Sequence, residues 1–541
     1  MSPRQLKIAT LTRDRTFLIK AATTIGILSV AIAFLTDSIK NKPAKKTIAE
    51  LSEKTSPPEE SGPGDKPPTN PGFPGQFALH GPLSSEKLAA HLRQIATLYR
   101  AYGTVTDSPL PDLGTKSLIE NSLSDENQKT LFLDFFHAAT HSKEASSAEL
   151  DRIRTQADRN RPPRFANAFL GYLMNVRGDY RTALDAFKKE ATLEDAVAAK
   201  NSCVELCIDL GAKEELRKLL DTPGFADGLT LRSKKTAATT LRDYGMLFST
   251  SISWWANDLI TPWIIIPVIS AAIWFTIILQ TLGIKKRGAF WGVLAVAAGI
   301  ASIAVTIFFI FVQEGIVGLK ETGDLIDDAI FFTAGVGLRE EFCKLLFFLP
   351  FIPFLRRANS DALVLAVASW VGLGFAMEEN LGYFARSMVA AEPWSRFLTA
   401  NFFHLAATGL TGYSFYRFIR SPRTRWDEFL GTFLAIVIAH GIYDLVISSS
   451  RLEKELSLVA IILLGLLAYA YFGIAAKVRN TAKLIVSPLG VFTLGTALLI
   501  GITLNITLFN LPFWSGLGTF GESAAGMLPI AFLYINQFRK A

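Results

Sequence analysis

From residue 263 onward, long apolar runs alternate with short polar joints, a pattern that predicts membrane-crossing helices rather than an aqueous core. Runs at 263–284, 290–312, 329–355, 361–384, 398–419, 429–449, 456–476, 484–509 and 521–538 can each cross a hydrocarbon layer of about 30 Å at about 1.5 Å per residue. An earlier run at 17–35 follows Arg4, Lys7, Arg13 and Arg15, and brings the expected count to about ten. Ala31-Ile32-Ala33 would serve as a cleavage site, but the long basic lead favours an uncleaved signal anchor over 1–35, with Lys20 snorkelling to the cytoplasmic surface.

Between that anchor and the membrane half the pattern changes. Residues 36–80 are rich in Pro, Ser, Gly, Lys and Glu and bury too little apolar surface to offset ordering, so a disordered, Pro-rich linker is expected. Residues 81–250 return to helical periodicity and read as an α-helical domain. Within it Leu170, Gly171, Gly178, Tyr180, Ala183 and Phe187 fall at the offsets of a tetratricopeptide-like helix pair, with a weaker echo near Cys203, Gly211 and Leu220. One such unit near 164–220 suggests a protein-binding surface. The fold class expected is therefore all-α, a polytopic membrane bundle over 260–541 carrying an external helical domain.

Composition fits two solvents: 50 % of residues are hydrophobic, only 19 % are charged, and 40 are phenylalanine. The net charge of +7 does not argue for nucleic acid, because the basic residues cluster in joints between apolar runs. With a cytoplasmic N-terminus, the cytoplasmic joints hold Lys285-Lys286-Arg287, Arg356-Arg357, then Arg417, Arg420, Arg423 and Arg425, then Lys477, Arg479 and Lys483, and finally Arg539-Lys540. The opposite joints hold mostly single basics such as Lys320, Arg386 and Arg396. This alternation predicts both termini in the cytoplasm and residues 36–250 outside a cell inner or plasma membrane. Cys203, Cys207 and Cys343 are too few for a disulfide framework and read as core residues.

Charge inside a bilayer is costly, so ionisable residues at depth are functional candidates. Runs 290–312, 456–476 and 484–509 contain none, whereas four consecutive runs contain several: Arg339, Glu340, Glu341 and Lys344; Glu378 and Glu379; His404; His440 and Asp444. Lys344 lies four residues after Glu340 and three after Glu341, so the three tips can share one helix face. Phe375 and Glu379 are four apart, with Asn380 alongside and Gly372 and Gly374 a turn earlier, where close helix contact is allowed. His440 and Asp444 repeat the four-residue spacing, so the aspartate can orient the imidazole. Arg339 and Glu378 point about 100° away from their neighbours and are weaker members.

The E-E-x-x-K at 340–344, the G-F-A-x-x-E-N at 374–380, His404 and the H-x-x-x-D at 440–444 resemble the successive motifs of the PrsW family of intramembrane proteases, distant relatives of the CAAX prenyl endopeptidases. The resemblance spans a motif core at 328–448. It implies an intramembrane endopeptidase whose site comprises Glu340, Glu341, Lys344, Glu379, His404, His440 and Asp444. A membrane-anchored protein within the lipid bilayer would be the substrate, in regulated proteolysis or signalling. The related CAAX enzymes usually carry a histidine where this chain has Glu379, which argues against prenyl-protein processing.

The residues support that chemistry independently. Peptide hydrolysis needs an activated water, for which Glu340 or Glu341 is a reasonable base. Positive character near the oxyanion has two sources: zinc held by His404, His440 and a carboxylate such as Glu379, or the two imidazoles as direct donors. Glu379 falls about five residues, roughly 8 Å, from the outer end of its run, so the site should open outward. Buried acids and histidines also mark ion- or proton-coupled transporters, and a catalytically silent sensor is a further alternative. No inverted internal repeat of the transporter kind is evident.

Overall fold

Apolar runs become helices because a chain in hydrocarbon must satisfy its backbone N–H and C=O groups internally. The computed structural model describes residues 3–52, 82–103, 114–141, 147–193, 195–386, 392–448, 452–480 and 486–540. Among the described residues every regular element is helical, so the protein is all-α. It divides into two compact units, Met1–Pro57 with Leu247–Ala541, and Pro58–Met246.

In the first unit, six helices of the described residues are long and apolar enough to cross a membrane: Arg15–Thr36, Lys286–Val317, Asp361–Phe384, Pro422–Ser448, Leu458–Val478 and Pro488–Asn510. The other four expected runs are helical too, but differ in length, continuity or polarity. Ile265–Thr281 is shorter. The 329–355 run is interrupted by a π-helical turn at Phe331–Gly337 and a 3-10 turn at Leu349–Phe351. Ala400–Arg420 is a single helix of mixed polarity, and the last run is shared between Phe513–Gly526 and Leu528–Lys540. The helix of the expected anchor continues past it, covering Arg15–Ser52. The linker expected at 36–80 thus begins on this helix, and its residues 53–80 lie outside the described residues.

The helix Asp361–Arg386 stands at the centre of this unit. In its apolar window 89 % of residues are buried within the protein, against 17–39 % in the other five, as its apolar residues on every side require. It packs on Ala400–Arg420, Lys286–Val312 and Ile265–Thr281. Small residues set the close crossings: a Cβ on Gly374 would stand 2.0 Å from the Val296 carbonyl oxygen, and one on Gly372 would stand 2.2 Å from that of His404.

The second unit is built of helices that pack chiefly on their chain neighbours, from Glu126–Thr140 and Ser147–Ala157 through Ala166–Arg177 and Tyr180–Ala191 to Val197–Asp209 and Lys213–Leu220. Gly171 lets the second of these pairs close, since a Cβ there would be 2.9 Å from the Phe187 ring. The turn between those two helices uses Gly178 at φ +84°, and Asp179 then caps the following helix through the Thr182 N–H. Cys203 and Cys207 are core residues of this unit, both almost fully buried.

Candidate active site

Each of the four polar runs delivers its side chains from a helix whose neighbours face the core. Glu340, Glu341 and Lys344 lie in the first two turns of Leu338–Phe348, directly after the π-helical turn. Such turns insert an extra residue and often accompany functional sites. Here Gly441 makes room for it, because a Cβ there would come within 2.5 Å of the Thr333 Cα. Glu379 comes from Asp361–Arg386, His404 from Ala400–Arg420, and His440 with Asp444 from Pro422–Ser448.

Lys344 is the hub. Its ammonium, wholly buried, lies 2.8 Å from Glu341 Oε1, 3.5 Å from Glu340 Oε2 and 2.8 Å from His404 Nδ1. It also sits 4.1 Å from the centre of the Phe375 ring, a cation–π contact. A charged ammonium can only donate, so His404 Nδ1 accepts and the ring proton belongs on Nε2. That nitrogen lies 2.9 Å from Glu379 Oε2.

His440 is held from two sides. Its Nδ1 is 3.0 Å from Glu341 Oε1, while its Nε2 faces Asp444 Oδ2 at 3.3 Å and Glu340 Oε2 at 3.6 Å. The two histidine rings stand 5.2 Å apart. All seven residues singled out by the motifs therefore meet in one connected cluster.

The ligand set expected from sequence was His404, His440 and a carboxylate such as Glu379. Donor atoms of Glu340, His404 and His440 lie within 4.8 Å of one another, whereas Glu379 is not in that group. Glu379 instead shares its Oε2 between His404 Nε2 and Arg396 Nη2, the latter at 3.1 Å. One carboxylate and two imidazoles are ligand types that suit a divalent ion, which His404 would join with the lone pair it otherwise turns to Lys344. Glu340 Oε2 and Glu341 Oε2 are both buried without a hydrogen-bond partner, and the former faces the Lys344 ammonium at 3.5 Å.

Sequence reading missed the outer ring of the site. Arg396, taken only as an orientation charge, donates through Nε to Asn380 Oδ1 and through Nη2 to Glu379, and its guanidinium lies 3.7 Å from the Tyr383 ring centre. Asn380 Nδ2 donates to Asn401 Oδ1 at 2.5 Å, and Asn401 Nδ2 to Ser270 Oγ at 2.9 Å. Asn401 was detectable, since it precedes His404 by three residues on the same helix face. Arg396 was not, because it belongs to a separate short helix, Glu392–Leu398. Of the two weaker members, Arg339 turns to Gln313, whose Oε1 accepts from its Nη1 at 2.7 Å, and Glu378 is buried.

A multi-span, all-helical membrane protein with a buried acid and histidine centre is the class these features define. Residues 289–475 match the family model described as PrsW family intramembrane metalloprotease, and this stretch is similar to that family. The match reaches beyond the 328–448 motif core on both sides. No curated protein and no solved structure matches the chain.

Proposed function

We propose that this protein is an intramembrane endopeptidase that hydrolyses a peptide bond of a membrane-anchored protein. The observation that carries the reading is the convergence of Glu340, Glu341, Lys344, Glu379, His404, His440 and Asp444 from four helices, inside the stretch that matches the protease family.

The two adjacent glutamates have different tasks. Glu341 is fully buried and spends Oε1 on both Lys344 and His440, so it orients those two groups. Glu340 has a side chain 11 % exposed and only longer contacts, 3.5 Å to Lys344 and 3.6 Å to His440, so it is the carboxylate that meets the attacking water; without an ion it takes the water's proton and returns it to the departing amine. Asp444 and Glu341 together fix the His440 ring, and Glu379 does the same for His404. Glu340, His404 and His440 would hold the divalent ion, with zinc our choice on the donor set. When bound, the ion supplies Lewis acidity toward the scissile carbonyl and its water.

The joint charges support cytoplasmic termini and an external 58–246 unit in the inner or plasma membrane. On that orientation the site opens to the outside, where the helical unit offers a protein-binding surface that selects the substrate for regulated cleavage. The test is cleavage of single-span substrates by the purified protein, with and without chelator, beside Glu340→Gln, Glu341→Gln and His440→Ala. Loss of cleavage in all three is expected; cleavage that survives Glu340→Gln and His440→Ala would overturn the assignment, and indifference to chelation would remove the metal.

A further inference from the structure

We propose that the groove between the N-terminal membrane helix and the C-terminal helix binds one anionic phospholipid, with an acyl chain in the groove and the phosphate between Arg15 and Arg539. The site lies on other helices than the catalytic cluster and does not rest on the peptidase reading.

Three helices frame an apolar cavity of about 380 Å³. Ala22 and Gly26 come from Arg15–Ser52, Thr496 and Ala497 from Pro488–Asn510, and Ala531 and Ile535 from Leu528–Lys540. No charged residue lines it. Arg15–Ser52 packs mainly on Pro488–Asn510, and small side chains leave a gap between it and the C-terminal helix. Even a Cβ on Gly26 would meet nothing within 4 Å. An apolar gap within a membrane takes hydrocarbon rather than water. An acyl chain fits this one, whereas a helix about 10–12 Å across does not, because the volume holds less than one of its turns.

Charge selects the head group. The three helices meet one side of the membrane together: the Ser487 N–H donates to Thr12 Oγ1 at 3.2 Å, and the Phe538 and Phe492 rings stand 5.3 Å apart. On that side Arg15 precedes Ala22 by seven residues and Gly26 by eleven, so it shares their face of the helix. Arg539 follows Ile535 by four residues and does the same on the C-terminal helix. Both arginines are exposed, and Asp14, the acid next to Arg15, turns away to cap its helix through the Thr16 N–H. Two guanidiniums above an apolar slot match a phosphate above an acyl chain. Thr496 adds a third point of contact. Its Oγ1 is buried without a hydrogen-bond partner, whereas Thr503 and Thr507 on the same helix donate to carbonyls one turn back. A glycerol ester oxygen supplies the acceptor it lacks.

The test titrates full-length protein in neutral detergent with phosphatidylglycerol or phosphatidylcholine and counts bound lipid by native mass spectrometry. Wild type should hold one phosphatidylglycerol about 25-fold more tightly than phosphatidylcholine, and Arg15→Gln and Arg539→Gln should each give up about fivefold of that preference, the usual worth of one basic residue beside anionic lipid. Arg357→Gln, at a different joint, should leave the preference unchanged. Gly26→Leu should weaken both lipids about tenfold or more, as the loss of two or three buried methylenes would. Equal affinity for the two lipids, an equal loss in Arg357→Gln, or a Gly26→Leu variant that keeps its phosphatidylglycerol overturns the proposal. So does a dimer that Gly26→Leu dissolves, because a second copy would then occupy the groove. Should Gly26→Leu not fold, Ala22→Leu narrows the same groove and is judged by the same outcomes.

Discussion

Lys344 Nζ and Glu341 Oε1 stand 2.8 Å apart, three residues along one helix, with both side chains completely buried. Isolated, either charge would be very expensive at this depth; paired, each makes the other tolerable. Lys344→Met should therefore destabilise the membrane unit by about 3–5 kcal/mol, the usual cost of stranding one partner of a buried pair. Lys344→Met combined with Glu341→Leu should regain most of that stability while remaining inactive. Thermal unfolding in detergent checks both; equal stability of the single variant and wild type would mean the pair is not buried as described.

The proposed division of labour between Glu340 and Glu341 makes a second prediction. Glu340 is slightly exposed and its contacts to Lys344 and His440 are longer than those of Glu341, so Glu340→Gln should leave stability within about 1 kcal/mol while lowering kcat by at least about 100-fold. Glu341→Gln, which disturbs contacts to both Lys344 and His440, should lose stability as well as activity. Kinetics and melting curves of both variants under one set of conditions separate the two. A Glu340→Gln variant that melts early yet still cleaves would reverse the roles.

Much of this centre was readable because helical spacing is local. Glu340, Glu341 and Lys344, and likewise His440 and Asp444, advertise a shared face by their three- and four-residue offsets. The all-helical class followed from apolar run lengths in the same way. What spacing cannot carry is which side chain of one helix meets which of another. Glu379 shares its Oε2 between His404 and Arg396, and no offset in the sequence links residues on separate helices. The π-helical turn at Phe331–Gly337 was equally hidden, since its sequence is ordinary apolar helix and only its packing against Gly441 reveals the extra residue.

The glycines at the central crossing should matter to catalysis without touching the site. A Cβ on Gly374 would meet the Val296 carbonyl oxygen at 2.0 Å, and one on Gly299 would meet that of Val371 at 2.0 Å. Backbone cannot yield as a side-chain tip can, so Gly374→Ala must push Asp361–Arg386 and Lys286–Val312 apart. A destabilisation of about 1–3 kcal/mol is expected, as for overpacking elsewhere. Because the displaced helix carries Glu379, kcat should fall also. Gly431→Ala is the matched control, having nothing within 4 Å of its Cβ position. Equal effects from the two variants would remove the close-packing argument.

In the 58–246 unit, burial pushes the Cys203 thiol up to about 12, and Cys207 beside it is raised as well for the same reason. Neither should react with maleimide in the folded protein at neutral pH, and both should react at the ordinary rate in denaturant. Mass spectrometry of peptides from labelled protein tests this. Rapid labelling of Cys203 under native conditions would mean that its helix opens readily, since a thiol so placed has no other route to the reagent.

Glu190 gives the same unit a pH dependence whose sign is fixed by its surroundings. The carboxylate is buried and its pKa is raised, burial being the largest cause, although the Phe165 N–H donates to it at 2.9 Å. A group whose folded pKa lies above its unfolded value holds its proton longer when folded, so the native state binds more protons between the two values. Stability must then fall as pH rises through the unfolded carboxylate value toward the folded one, and level off above it. Gln in its place can still accept the Phe165 N–H but cannot ionise. Glu190→Gln should flatten this part of the curve, leaving the helices Ala166–Arg177 and Tyr180–Ala191 better protected relative to wild type at pH 7 than at pH 4. Hydrogen exchange of the full-length protein, corrected for intrinsic rates, reads this directly. Protection that rises with pH through this window in wild type and not in Glu190→Gln would show that the hydrogen bond, rather than burial, governs the group.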